Sequence, residues 1–323
     1  MALTVAVTGP TGTFGHGLVP LLEADDRIER VVGIARSPFD PAEQGWSKMT
    51  YRRGDVRDEA ALQEAFAGAD VVVHLAFLIA GGSRETTRAI NVEGTLNAFR
   101  AAAGAGVKRF VYASSIAAYG FHRDNPLGMT EEWPVRAADR LFYAQEKAEL
   151  EELLQAEAAQ HPAVDLYLLR PPIVVGPHTL GGKLPGRVGT VVEKVALRRS
   201  PLPLPVVVPD IPVQLIHEDD VGSALLQCVV AAGPPGAYNI AGDGVPTVPE
   251  LVRAAGLRPL VRLPARPVHG MARLVSRVPF LPSYAEWVEA FATPAVMDTT
   301  RAKRELGWQP TWTGLDAWRD TLR

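Results

Sequence analysis

Short runs rich in Val and other apolar residues alternate with helical periods through the first half of the chain. The runs are LTVAVTG, RVVGIAR, MTYRRGD, ADVVVHLA, KRFVYASS and VDLYLLRPP; between them lie GTFGHGLVPLLEAD, DEAALQEAFAG, TTRAINVEGTLNAFRAAAGAG and ADRLFYAQEKAELEELLQAEAAQ. Strands that are apolar without alternation are buried on both faces, and helices interposed between them cover those faces, so the pattern predicts an α/β fold with a doubly wound parallel sheet of the Rossmann kind. After Gly176 the texture changes: PHTLGGKLPGRVG and RRSPLPLPVVVPDIP are too rich in Gly and Pro to continue the repeat. VQLIHEDDVGSALLQCVV and AYNIAG then return to strand, helix and strand. The expected organisation is a dinucleotide-binding domain over residues 1–176, rejoined by about 212–241, interleaved with a smaller C-terminal substrate-binding region made of 177–211 and 242–323.

Composition narrows the partners. The 323 residues carry 33 basic and 36 acidic side chains, a net charge of -3, with no long block of one sign. Nothing in that balance attracts nucleic acid or an anionic membrane, and a small-molecule partner is the expectation. Cys228 is the one cysteine; it excludes an internal disulfide, and in LLQCVV it reads as a small buried apolar residue rather than a nucleophile. MALTVAVTG has no basic leader and cleavage site, no apolar run reaches membrane-spanning length, and no metal site is expected; the protein reads as soluble and cytoplasmic.

Directly after the first strand comes Thr8-Gly9-Pro10-Thr11-Gly12-Thr13-Phe14-Gly15. Gly9 allows a tight turn, Gly12 lets backbone approach a pyrophosphate, and Gly15 lets the following helix pack close to the strand, so that the helix N-terminus faces the anion. The second strand ends Gly33-Ile34-Ala35-Arg36-Ser37, with no carboxylate to accept a ribose hydroxyl; Arg36 and Ser37 suit the 2′-phosphate of NADP. NADP is therefore expected ahead of NAD. Asp55, in RRGDVRD, either accepts from the adenine amino group or caps a turn.

In YAQEK, Tyr143 and Lys147 stand four apart within a helical stretch, hence on one face with Cβ atoms about 5–6 Å apart. A phenol with an ordinary pKa of about 10 needs a neighbouring ammonium to work as an acid-base group near neutrality. Ser114-Ser115 ends the strand KRFVYASS at the carboxyl edge of a parallel sheet, where ligands bind. Ser115 can hold a substrate oxygen while Tyr143 gives or takes its proton and a nicotinamide exchanges hydride.

Together these motifs resemble the extended short-chain dehydrogenase/reductases, also called the NAD-dependent epimerase/dehydratase family. TGPTGTFG is similar to its cofactor turn, GDVRD to its adenine-side segment, HLAF to its fourth-strand end, INVEGT to the helix after it, SSIAAYG to its serine strand, YAQEK to its Tyr/Lys pair, LRPPIVVGP to the link into the substrate region, IHEDDVGSAL to the returning segment and RAKRELGWQP to its C-terminal closure. The resemblance implies Ser115 as catalytic serine, Tyr143 as acid-base, and Lys147 as the residue that lowers the pKa of Tyr143 and holds the nicotinamide ribose. It places Val56 beside Asp55, Leu75 and Ala76 of HLAF, and Pro171 of LRPPI along the cofactor, with Asn91 behind the site. It also implies a homodimer packed through the helices around 86–105 and 139–160.

Departures from that family narrow the substrate. Its sugar-nucleotide dehydratases carry an acidic pair after the catalytic Thr, where this chain has Ile116 and Ala117. Its sugar-nucleotide epimerases carry an Asn and an Arg that help bind the diphosphate, where this chain has Ile173 and Val213. Losing both polar groups points to an uncharged substrate, and the run from Leu202 to Val213 with Phe280, Leu281, Tyr284 and Trp287 offers an apolar wall or ordinary packing. His217 and Asp220 read as anchors of the returning strand and helix. The expected activity is an NADP(H)-dependent oxidoreductase acting on a fairly apolar ketone or secondary alcohol; the alternatives are an NAD-dependent sugar or sugar-nucleotide epimerase and a non-catalytic dinucleotide sensor.

Overall fold

The computed structural model describes residues 2–79, 83–179, 206–256, 259–263 and 293–323. The chain runs β1 (Leu3–Thr8), α1 (Thr13–Ala24), β2 (Ile28–Ala35), β3 (Met49–Arg53), α2 (Glu59–Phe66), β4 (Val71–His74), α3 (Arg84–Arg88), α4 (Gly94–Gly104), β5 (Arg109–Ala113), β6 (Leu127–Met129), α5 (Phe142–Gln160) and β7 (Asp165–Arg170). It continues through β8 (Ile173–Val175), β9 (Val206–Pro209), β10 (Leu215–His217), α6 (Glu218–Val229), β11 (Gly236–Asn239), α7 (Val248–Ala254), β12 (Pro259–Leu263), β13 (Val296–Met297), α8 (Thr300–Glu305) and α9 (Gly314–Thr321).

Seven strands form one parallel sheet in the order β11-β7-β5-β4-β1-β2-β3. The chain moves outward from β1 to β3 and then returns to β4 on the other side, so the order reverses between β1 and β4. That switch point opens a crevice at the carboxyl ends of those strands. Both faces of the sheet are buried, and successive side chains serve opposite cores. Val5, Val7, Val73 and Val111 point into one, with Leu18, Leu22 and Leu225; Ala6, Val72, Phe110 and Tyr112 point into the other, with Phe66, Phe99 and Leu150. This is why the strands read as continuously apolar rather than alternating.

The AYNIAG segment enters the main sheet as β11, beside β7. VQLIHEDD does not: its strand β10 pairs with β8 in a separate two-stranded sheet. Pro171 and Pro172 interrupt the chain between β7 and β8, and prolines, lacking an N–H, end a ladder; β8 therefore leaves the main sheet and takes β10 as its partner. The returning segment is anchored as its sequence suggests. Asp220 accepts from the backbone of Thr311 (2.8 Å) and Trp312 (3.1 Å), and His217 stacks on Trp312 with ring centroids 4.3 Å apart.

Helices α1 and α6 touch through glycine. A Cβ on Gly17 would lie 2.2 Å from the Glu218 oxygen and one on Gly222 would lie 2.1 Å from the Gly17 oxygen, so any larger residue would force the helices apart. The helical stretch around Asn91 is continuous in outline, but Ala89–Glu93 widens into a π turn between α3 and α4. Of the suspected apolar wall, Val208 and Ile211 are buried packing residues and Val213 joins a cluster with Leu215 and Ala317; Leu202 to Pro205, Phe280, Leu281, Tyr284 and Trp287 lie outside the described residues. Cys228 is fully buried, and burial pushes its thiol well up. Among the described residues no helix is long and apolar enough to cross a membrane, and no cluster of His, Cys, Asp and Glu is placed to hold a metal ion.

Candidate active site

The turn between β1 and α1 is shaped by backbone. Gly9 has φ +70°, a left-handed conformation, and a Cβ there would sit 3.0 Å from the Ala76 nitrogen. On Gly15 it would sit 2.0 Å from the Pro10 oxygen. Gly12 stands at the helix N-cap without a side-chain hydrogen bond, and its amide donates back to Gly9 O at 3.2 Å. Thr8 ties the turn to the loop after β4, accepting at Oγ1 from the amides of Leu75 and Ala76, both at 3.2 Å. A tight glycine turn leading into a helix N-terminus fits a dinucleotide pyrophosphate; Thr11, Gly12, Thr13 and Phe14 follow Gly9 and Pro10 at this turn and the start of α1. Thr13 Oγ1 also donates to His178 O at 3.2 Å.

At the end of β2, Arg36 and Ser37 are exposed. Strand β3 holds their backbone from below: Tyr51 OH donates to Ala35 O (3.1 Å) and Ser37 O (2.5 Å), and Arg53 Nε donates to Arg36 O (2.9 Å). Asp55 is engaged by its neighbour. It accepts from the Arg57 amide and Nε, both at 3.0 Å, and from the guanidinium again at 2.8 Å, and Arg57 holds its carboxyl below the usual carboxylate range. In the protein itself, then, Asp55 closes a turn. Val56 is buried beneath α4, where a Cβ on Gly94 would meet it at 2.5 Å.

Helix α5 brings Tyr143 and Lys147 to the carboxyl end of β5, where Ser115 begins a short 3-10 turn and accepts at Oγ from the Ala117 amide (3.1 Å). Ile116 N donates to Pro171 O at 2.9 Å, so the serine turn is fastened to the start of the LRPPI link. Burial pushes the Tyr143 phenol up to about 12, against the opposing pull of a hydrogen bond with Ser115. Lys147 is 3% exposed. Its ammonium faces inward, donating to Ala113 O (2.7 Å) and Tyr112 OH (3.0 Å), and lies 3.7 Å from the centroid of Phe77 and 5.9 Å from that of Tyr143. Burial draws it down to about 7, while Glu151 and then Glu146 hold it up. In the free protein, burial and Ser115 are what act on the Tyr143 phenol.

Apart from Asn91, which the resemblance placed behind the site, the residues packed around this centre went unremarked in the sequence. Phe77, last of the HLAF motif, packs edge-on against Tyr143 at 5.6 Å and covers Lys147. Glu151 pairs with Arg170 inside the protein (2.9 Å) and accepts from Ser114 (2.5 Å); its signal was a Glu one helical turn after Lys147. Asn91 clasps the backbone of Leu78, accepting from its amide (2.7 Å) and donating to its carbonyl (3.0 Å), and donates to Glu146 at 2.8 Å. His74 bridges Thr8 (2.9 Å) and Thr95 (3.0 Å), and burial drops its pKa to about 3, so it is neutral.

A Rossmann sheet with a glycine turn at its switch point and a Ser, Tyr and Lys converging beside it defines a dinucleotide-binding α/β protein of the short-chain dehydrogenase kind. The sequence pattern of the NAD dependent epimerase/dehydratase family matches residues 5–241, and the chain belongs to that family. It is 28% identical over 328 residues to the uncharacterized protein Rv0501 of Mycobacterium tuberculosis, covering 99% of this chain and 83% of that one. It is 32% identical over 189 residues to sterol demethylase protein B of Methylococcus capsulatus, covering 57% of this chain and 56% of that one. The fold is similar to that of a UDP-glucose 4-epimerase from Thermotoga maritima solved with UDP-glucose, with a TM-score of 0.73 at 20% identity over 99% of this chain and 97% of that one.

Proposed function

We propose that the protein is an NADP(H)-dependent carbonyl reductase or alcohol dehydrogenase whose substrate is an uncharged, fairly apolar ketone or secondary alcohol. The observation that carries this reading is that apolar residues, Ile173 and Val213, stand where the family's sugar-nucleotide epimerases carry polar groups for a diphosphate. Ile173, two residues beyond the Pro171 carbonyl that is tied to Ile116, is 38% exposed. Phe121 leans with Tyr143 on the cluster of Ala117, Ala138, Leu141 and Ala144, and Ile79 beyond Phe77 is 60% exposed. Apolar side chains at such positions desolvate a carbonyl well and a diphosphate badly. The stretch shared with a sterol demethylase protein agrees with an apolar substrate.

Bound NADPH supplies hydride with its two electrons; the chain supplies orientation and the proton. Ser115 holds the carbonyl oxygen, and Tyr143 O–H donates its proton there as the carbonyl carbon takes the hydride. This leaves an alcohol and a phenolate that is reprotonated from water. A phenol raised to about 12 is fully protonated near neutrality, the form reduction needs. Arg36 and Ser37, exposed at the end of a strand that carries no carboxylate of its own at its tip, support the choice of NADPH. The protein acts as a soluble cytoplasmic homodimer on this reading, which sedimentation equilibrium would check. A screen of apolar ketones with NADPH, repeated with Tyr143→Phe, tests the assignment: turnover abolished by the substitution is expected, and turnover left intact would exclude Tyr143 as the acid.

A second reading, an NAD-dependent epimerase, is supported by the fold likeness to the Thermotoga maritima enzyme over nearly the whole chain. It requires tightly retained NAD that returns its hydride to the same carbon, with no net turnover of cofactor.

A further inference from the structure

We propose that Phe77 is a positioning residue of the acid-base centre, a single ring that holds the Lys147 ammonium on its face and braces Tyr143. The proposal rests on the reading of Tyr143 and Lys147 as the working pair and adds a residue to it. The ammonium lies over the Phe77 ring, 3.7 Å from its centroid, and the rings of Phe77 and Tyr143 meet at 86° with centroids 5.6 Å apart. One side chain thus touches both members of the pair. A lysine ammonium has three donors. Two are spent, on Ala113 O at 2.7 Å and on Tyr112 OH at 3.0 Å, and Phe77 offers the closest aromatic face to what remains, ahead of the Tyr112 ring at 4.6 Å. Such a face attracts a cation most strongly where water is excluded, and Lys147 is buried.

The backbone on either side of Phe77 is fastened, so the ring is placed rather than loose. Ala76 before it donates to Thr8 Oγ1 at 3.2 Å, and Leu78 after it is clasped by Asn91 at both its amide (2.7 Å) and its carbonyl (3.0 Å). Strand β1 and the π turn therefore set where the ring stands.

The charged and titratable groups packed around Lys147 leave the close contact to that ring. On α5, Glu151 is committed to Arg170 of β7 and to Ser114, and Glu146 turns its carboxylate to Asn91. Both favour the charged lysine from a distance, and among the described residues neither forms an ion pair with it. From β5, Tyr112 is a phenol that burial keeps neutral; from β4, His74 is a neutral imidazole; Tyr143 is a neutral phenol in the free protein. Further out, Arg88 of α3 is paired with Glu149 at 2.7 Å. A ring face also suits a lysine that must give an N–H to a nicotinamide ribose, because withdrawing it from a ring leaves no buried anion unpaired.

The test is an NMR titration of the Lys147 side-chain carbons in the full-length protein without ligand. Wild type is compared with Phe77→Leu, which keeps apolar bulk and removes the aromatic face, and with Phe77→Tyr, which keeps the face. The Lys147 midpoint is expected to fall by about one pH unit in Phe77→Leu and to stay near the wild-type value in Phe77→Tyr. An unmoved midpoint in Phe77→Leu, or an equal fall in Phe77→Tyr, overturns the proposal. If Phe77→Leu does not fold, ring-fluorinated phenylalanine at position 77 takes its place, since fluorine withdraws charge from the face and leaves the shape. The midpoint should then fall with each fluorine added, and a midpoint indifferent to fluorination overturns the proposal equally. These readouts need neither substrate nor cofactor, so the role of Phe77 can fail while Tyr143 remains the acid, and the reverse.

Discussion

The cofactor turn and the acid-base centre lie on the same sheet edge yet are built from different materials. The turn between β1 and α1 is backbone: Gly9 in a left-handed conformation, Gly15 against Pro10, and the Gly17–Gly222 contact that lets α1 lie on α6. The centre on α5 is side chain: a buried lysine, two buried carboxylates, an internal arginine and three aromatic rings around one ammonium. A backbone site tolerates almost no added atom but cares little about charge, whereas a side-chain site can be altered atom for atom without disturbing the fold and still lose its chemistry. Substitutions in the two regions should therefore fail in different ways.

The largest effect belongs to the centre. Tyr143→Phe should lower turnover about a hundred- to ten-thousand-fold while leaving NADPH affinity and melting temperature nearly unchanged; a parallel loss of stability would show that the centre is structural after all. Next come the close contacts of α1. Gly222→Ala should destabilise the fold by roughly 1–3 kcal/mol, because its Cβ would lie 2.1 Å from the Gly17 oxygen. Denaturant titration reads this directly, and a neutral result would mean that the two helices can separate freely.

A pH effect sharpens the contrast. Lys147 is drawn from its ordinary 10.5 to about 7 in the folded protein. Between those values the unfolded chain binds the extra proton, so stability should rise as pH climbs from about 7 towards about 10. Lys147→Met, which has nothing to titrate, should flatten that rise. An undiminished rise in the variant would assign it to another group. The smallest effect is at the strand tip: Arg36→Ala should weaken NADPH about tenfold relative to NADH, the worth of one charge-assisted hydrogen bond, with no change in fold.

The same division explains what could be read in advance. The continuously apolar runs that make β1, β4 and β5 and the spacing of Gly9, Gly12 and Gly15 are local, and each strand and the turn lie where those patterns place them. The departure of β8 from the sheet follows from a Pro-Pro pair, but its partner β10 lies some forty residues on and had no local signal. Tyr143 and Lys147 were legible through their helical spacing. What surrounds Lys147 was not, because Tyr112 and Phe77 are each ordinary residues for their own element, and only packing brings them to one ammonium. The balance between burial and charge that raises Tyr143 and lowers Lys147 likewise depends on depth within the fold, which spacing does not carry. Asp55 read as an adenine contact or a turn residue, and Arg57 two residues on is bidentate to it, a pairing of side chains that no strand or helix pattern announces.

The measurement that bears most directly on the proposed chemistry is the state of the cofactor in the purified protein. The protein is denatured, any released nucleotide is identified, and the refolded or emptied protein is titrated with NADPH and with NADH. The reductase reading predicts that it emerges empty and binds NADPH more tightly than NADH, as a cofactor that diffuses in and out must. Release of one equivalent of NAD per chain would contradict it, and would make the protein an enzyme that keeps its nucleotide and returns the hydride to the carbon it came from.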